Sequence, residues 1–261
     1  MKVLLVPSLI PSPSPGGLPT SDIQHTSSYL INDNIAIDAG SLGFYGTPGQ
    51  QARIRHVLIS HTHLDHIASL PILLDNAYQP PGDCLTLHGS QEVIDCLQRD
   101  VFNDRIWPDF IKLSQTQSPF LKINVLPDRQ AHQVDGLRIT PIPVDHLVPT
   151  NAFLIEDADS AVAIVSDTGP TQEIWDQARG LTALKAVFLE AAFPNRLESL
   201  ARASKHLTPA LFLQETRKLQ RPLKWFAVHR KPRFHEEIAG ELLALGIPGL
   251  ELACAGVEYS F

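Results

Sequence analysis

The stretch His61-Thr62-His63-Leu64-Asp65-His66 follows directly on the apolar run at 53–60, and it limits this chain more than any other feature. The run reads as a buried strand, and four ligand-type side chains crowd the turn at its end. Desolvating them side by side is costly unless something satisfies them. Neutral imidazole and carboxylate are the donors that suit zinc, manganese or iron. One turn cannot aim all four at a single ion. The alternate pair His61 and His63 can share one, which leaves Asp65 and His66 for a second. A polar loop that happens to be rich in histidine is the plainer alternative.

A strand that ends in a polar ligand delivers it to a sheet edge, where sites form. Three more runs end this way. The run at 139–144 leads to Asp145 and His146, the run at 161–166 to Asp167, and the run at 223–228 to His229. Each alone reads as a hydrogen-bonded strand end. After the histidine cluster, the set reads as the remainder of a metal centre.

Residues 3–6 read as a first strand, 11–17 as a proline- and glycine-rich loop, and 27–31 with 34–38 as a hairpin through Asn32 and Asp33. The pattern predicts a helix over 67–74 despite Pro71, a strand over 85–88, a helix over 91–98 and two or three strands over 127–143. The runs 161–166, 186–189 and 225–228 are nearly continuous in apolar residues, as expected of strands covered on both faces. Thr208 and Pro209 supply a cap and a first-turn proline for a helix to about Leu219. A last helix over 236–245 is closed by Gly246. No repeat or boundary interrupts the chain. The expectation is one α/β domain over 1–261, a two-sheet sandwich with helices on both outer faces.

The 28 acids against 21 bases, a net charge of −7, weigh against a surface built to grip long nucleic acid. Cys84, Cys96 and Cys254 form no CxxC pair, which fits a reducing, cytoplasmic setting. The apolar run at the N-terminus is too short for a signal sequence, and nothing reads as a membrane span.

An HxHxDH motif followed by a lone His, a strand-end Asp and a late strand-end His resembles the metallo-β-lactamase superfamily over most of the chain. The resemblance implies a four-layer αββα sandwich. It also implies a dinuclear centre in which His61, His63 and His146 hold one metal, Asp65, His66 and His229 hold the other, and Asp167 bridges. β-Lactamases proper resemble this pattern but carry Cys at the bridging place, so Asp167 points to the phosphodiesterase-like branches.

His63-Leu64-Asp65-His66-Ile67-Ala68-Ser69-Leu70 resembles the signature of class II cyclic-nucleotide phosphodiesterases. So do Phe102-Asn103-Asp104-Arg105-Ile106-Trp107-Pro108, Glu190-Ala191-Ala192-Phe193-Pro194-Asn195 and Lys205-His206-Leu207-Thr208-Pro209. Val228-His229-Arg230-Lys231-Pro232-Arg233-Phe234 resembles the closing motif of the tRNA 3′-processing endonucleases, a neighbouring branch.

The likeness implies hydrolysis of 3′,5′-cyclic nucleotides, cAMP or cGMP, to 5′-nucleotides with two divalent ions: zinc, with manganese or iron as alternatives. Asp65 is expected to orient the water or accept its proton, and His206 to protonate the leaving 3′ oxygen. Glu190 is a candidate partner for a ligand histidine. Trp107 is a candidate purine stacker or a packing residue, and Arg105, Arg230 and Arg233 are candidates to meet phosphate. The rivals are a tRNA-processing or sulfatase-like hydrolase of the same fold and a metal-binding scaffold without turnover. A flavin-linked oxidoreductase module is disfavoured, since no flavodoxin-like stretch follows Phe261. The expected partner is a small phosphodiester. No membrane is expected, tRNA is disfavoured but open, and a homodimer is left open.

Overall fold

The computed structural model describes residues 1–8, 26–79, 84–115 and 119–261, so the loop expected over 11–17 lies outside the described residues. Among these residues the chain builds one sheet almost to completion before starting the other. The first holds β1 (Lys2–Leu5), β2 (Tyr29–Ile31), β3 (Ile35–Ile37), β4 (His56–Leu58), β5 (Leu85–Gly89) and β6 (Leu121–Val125). The second holds β7 (His132–Val134), β8 (Leu137–Pro143), β9 (Asn151–Glu156), β10 (Ala161–Val165), β11 (Leu184–Glu190), β12 (Lys224–Val228) and β13 (Leu250–Leu252). The last strand, β14 (Glu258–Ser260), returns to pair with β1. The orders are β14-β1-β2-β3-β4-β5-β6 and β13-β12-β11-β10-β9-β8-β7.

Period-two side-chain alternation assigns the layers. Along β10, β11 and β12, Val162, Ile164, Ala186, Phe188, Phe226 and Val228 face a core that also contains Val3, Ile31, Ile37 and Leu58 of the first sheet. The alternate residues Ala163, Val165, Val187, Leu189, Trp225 and Ala227 face a second core. There they meet Trp175, Phe212, Ile238 and Leu242 from helices Glu173–Arg179, Pro209–Thr216 and His235–Ala244. A third core joins the outer face of the first sheet to helices Leu70–Ala77 and Gln91–Cys96. Helix, sheet, sheet, helix is the four-layer αββα sandwich, with a core in each of its three gaps. Each fully buried apolar side chain contributes about 1.5–3 kcal/mol to that stacking.

The hairpin turns through Asn32 and Asp33, both at positive φ (47° and 66°), the geometry whose twist matches paired strands. Gly246, at φ 60°, ends the last helix. The expected helix over 67–74 is instead two, Leu64–Ile67 and Leu70–Ala77. Pro71 lacks an N–H and sits in the first turn of the second, while the Ser69 hydroxyl donates to Ala39 O at 2.7 Å. The helix expected over 91–98 ends at Cys96 and widens into a π-turn over Leu97–Val101. Residues 127–143 form two strands, β7 and β8. No helix among the described residues is long and apolar enough to cross a membrane.

Candidate metal centre

Strand direction explains why distant residues meet. β8 is antiparallel to β9, β9 to β10, and β10, β11 and β12 are mutually parallel, so β8, β10, β11 and β12 all finish at one edge. Asp145 and His146 follow β8, Asp167 follows β10, Glu190 ends β11 and His229 follows β12. In the other sheet β3 and β4 are parallel and finish at Asp38 and at the Ser60-His61 corner. Asn151 N–H donates to Ser60 O at 3.1 Å and joins the two edges.

The seven expected side chains converge there in two groups. The first is His61, His63, His146 and Asp167, and the second is Asp65, His66, Asp167 and His229. Within each group the donor atoms lie within 4.8 Å of one another, and Asp167 belongs to both. His63 Nδ1 is 3.1 Å from His61 Nε2 and 3.2 Å from His146 Nε2. Asp167 Oδ1 is 3.4 Å from His66 Nε2, and its Oδ2 lies 3.4 Å from His229 Nε2 and 3.9 Å from His61 Nε2. Asp65 Oδ2 stands 3.7 Å from His229 Nε2 and 4.0 Å from His66 Nε2. Ligands bound tetrahedrally at about 2.0–2.2 Å from one zinc-class ion sit about 3.3–3.6 Å apart, and the distances here scatter around that value.

The surrounding hydrogen bonds aim the free nitrogens inward. His66 Nδ1 meets Asp38 Oδ2 at 2.7 Å, and His146 Nδ1 meets the Lys205 carbonyl at 3.0 Å. The Ser60 hydroxyl donates to Asp38 Oδ2 at 2.8 Å, accepts from Ser166 at 2.9 Å and lies 3.0 Å from His61 Nδ1. With the Nδ1 proton donated to these acceptors, neutral His61, His66 and His146 rings present an Nε2 lone pair to the centre. His66 Nε2 and His229 Nε2 are buried without any hydrogen-bond partner. Buried orphans of that kind are costly, and a cation satisfies both. The donor set therefore fits divalent metal ions.

Charge agrees with this. Burial opposes ionisation of Asp167, but the His229 and His66 imidazoles hold its carboxyl well below the usual carboxylate range. Burial holds His61 well below the ordinary histidine value and lowers His63, His146 and His229, the neutral form a metal ligand needs. His66 runs the other way: burial opposes a charge on it, yet Asp167 and Asp38 outweigh burial and raise its value well above the ordinary one, and a cation at Nε2 would take the place of that second proton.

His206 borders this centre. Its ring centroid is 5.1 Å from that of His146 and 5.9 Å from that of His229, stacked on the latter. Its Nδ1 meets Glu190 Oε1 at 2.7 Å. Glu190 also accepts the backbone N–H groups of Thr168, Ala192 and Leu207, so it is a buried and saturated carboxylate. Burial opposes the charged form of His206, and Glu190 overcomes it and raises the imidazole above its ordinary value.

Glu190 therefore partners His206; among the ligand histidines, it is Asp38 that holds His66. Trp107 packs edge-on against Phe110 at 6.5 Å, within the outer core of the first sheet. Arg230 is buried and donates to Ala253 O at 2.8 Å, Arg233 lies over the Phe234 ring, and Arg105 is exposed. The sequence reading missed Asp38, Ser60 and Lys205. Asp38 ends an apolar strand as Asp167 does, so the same signal was present.

The fold is of the metallo-β-lactamase type, and its two donor groups stand at the shared sheet edge. A family profile for class-II cAMP phosphodiesterases matches residues 47–230, and the chain belongs to that family. It is 29% identical over 207 residues to a probable 3′,5′-cyclic-nucleotide phosphodiesterase of Yersinia pestis, covering 70% of this chain and 59% of that protein. Among the curated cyclic-nucleotide phosphodiesterases it matches, the chain spans 59%, 34% and 48% of their lengths. In fold it is similar to unliganded yeast PDE1, with a TM-score of 0.78, 19% identity and 98% of each chain covered. It is also similar to the short form of human tRNase Z, with a TM-score of 0.65, 17% identity, and 100% of this chain and 99% of that one covered.

Proposed function

We propose that this chain is one hydrolase domain over 1–261 that opens 3′,5′-cyclic nucleotides to 5′-nucleotides, using two divalent ions. Zinc is the first choice, with manganese or iron as alternatives. The observation that carries the reading is the double membership of Asp167, shared by two four-residue donor groups with the His206–Glu190 pair at their border. Bound there, the ions would lower the pKa of a water toward neutrality and offset charge on the phosphate. His61, His63 and His146 would hold one ion, Asp65, His66 and His229 the other, and Asp167 would bridge.

The chain's own groups move the protons. Asp65 has 35% of its side chain exposed, so it reaches the open side of the centre and accepts the proton of the attacking water. His206, held at Nδ1 by Glu190, gives a proton from Nε2 to the 3′ oxygen as the P–O3′ bond breaks. The product keeps its phosphate on the 5′ oxygen. Cys84, Cys96 and Cys254 form no disulfide with one another, in keeping with a cytoplasmic setting.

The test is 5′-AMP formation from 3′,5′-cAMP by purified protein with added zinc or manganese, beside a chelator control. The reading requires chelator-sensitive 5′-AMP. No product from protein shown to carry two ions overturns it and directs the search to tRNA precursors, other phosphodiesters and sulfate esters.

A further inference from the structure

We propose that the cavity beside His146 seats the nucleoside end of the substrate, an uncharged head bearing N–H and O–H donors; this rests on the phosphodiesterase reading above. The cavity measures about 350 Å³, within the range of small-molecule sites. Of the seven converging residues only His146 lines it, so it opens from one side of the centre. One wall is the segment 147–151 that follows His146. The facing wall is Ser90, Glu92 and Asp128.

Hydrogen bonds shape these walls without help from a ligand. Val144 N–H donates to Thr150 O at 3.0 Å and closes the 144–150 loop. Asn151 Nδ2 donates to Asp128 Oδ1 at 2.9 Å and ties one wall to the other. Leu147, 58% exposed, offers an apolar face against which a planar base or a sugar ring can pack.

The charges then select the occupant. Among the described residues Glu92 and Asp128 are the acids in the lining, and no lysine or arginine joins them. The nearest cation to Asp128, Arg129, stands 3.9 Å away and turns to Glu173, to which its Nε and a terminal NH2 donate at 2.5 and 2.9 Å. Arg129 is thus shared between Asp128 and Glu173, and with Glu92 the wall keeps a net negative charge, which accepts hydrogen bonds and repels a further phosphate. A cyclic mononucleotide leaves its one anionic group at the metal centre and brings hydroxyl and base N–H groups to this wall. A polynucleotide brings more phosphates to it. The same wall thus admits the one class of phosphodiester and turns away the other.

Binding calorimetry on metal-loaded protein tests this with two probes, 5′-GMP and inorganic phosphate, in the wild type and in the Glu92→Gln/Asp128→Asn double variant. The wild type should bind 5′-GMP more tightly than phosphate. The double variant should lose about tenfold in 5′-GMP affinity, with phosphate affinity and metal content unchanged. Unchanged 5′-GMP affinity, equal losses for both probes, or a wild type without preference each overturns the subsite. Should the double variant fail to fold, exposed Glu92→Gln alone is judged by the same outcomes. A wild type that prefers 5′-GMP yet does not turn over cyclic nucleotide overturns the phosphodiesterase reading and leaves the subsite standing.

Discussion

His66 and His206 each meet a buried carboxylate through Nδ1 at 2.7 Å, Asp38 in the first case and Glu190 in the second. The rings differ in what their other nitrogen faces. His66 exposes 1% of its side chain and turns an unpartnered Nε2 toward Asp167, whereas His206 exposes 9% and lies at the border of the centre. One device, a carboxylate fixing the tautomer, therefore suits a metal ligand where the far nitrogen is sealed in, and a proton donor where it reaches substrate. His88 supplies the contrast. Its Nδ1 meets the Asn124 amide and its Nε2 meets His56, both at 3.0 Å, with no carboxylate in either place. Burial, with His56 and His132 adding to it, pushes that imidazole down to about 4.

The largest effect should separate the first two rings. His206→Ala is expected to lower kcat by about 10²–10⁴-fold while metal content stays at the wild-type value. Wild-type turnover in that variant would erase the distinction. Asp38→Asn should act on the other side of the comparison, weakening metal affinity by about 10–100-fold in a chelator competition. Glu190→Gln should lower turnover and leave metal affinity where it was. If it weakened metal binding as much as Asp38→Asn does, the two carboxylates would share one role.

The smallest effect concerns His88. Its folded value of about 4 lies below the ordinary 6.5, so between those values the unfolded chain binds a proton that the folded chain refuses. The stabilisation is nearly complete above pH 6.5 and is lost as the pH falls toward 4, by about 2–3 kcal/mol. Urea unfolding at pH 7 and pH 4.5 should show this loss, and His88→Gln should reduce it.

The parts of the centre that ride on strand ends were legible in the sequence. The apolar runs before His61, His146, Asp167 and His229 mark buried strands, and a strand end that carries a ligand projects it over the sheet edge. Partners reached through space were harder to read. Asp38 also ends an apolar strand, but nothing linear shows that its carboxylate meets a histidine 28 positions away. Lys205 acts through its carbonyl, a group every residue has, so its side chain carries no signal. Among the strands, β6, β9, β13 and β14 were not assigned. β6 has an exposed, polar edge face, and β9 opens only a few residues after His146. Helix Glu173–Arg179 was missed as well, since its buried face is only Ile174, Trp175 and Ala178.

The central claim is that one carboxylate, Asp167, serves two ions. Metal analysis of the wild type beside Asp167→Ala tests it most directly. Two divalent ions per chain are expected in the wild type, and the loss of bound metal and of 5′-AMP formation in the variant. A variant that keeps both ions, or a wild type that saturates at one, would contradict it.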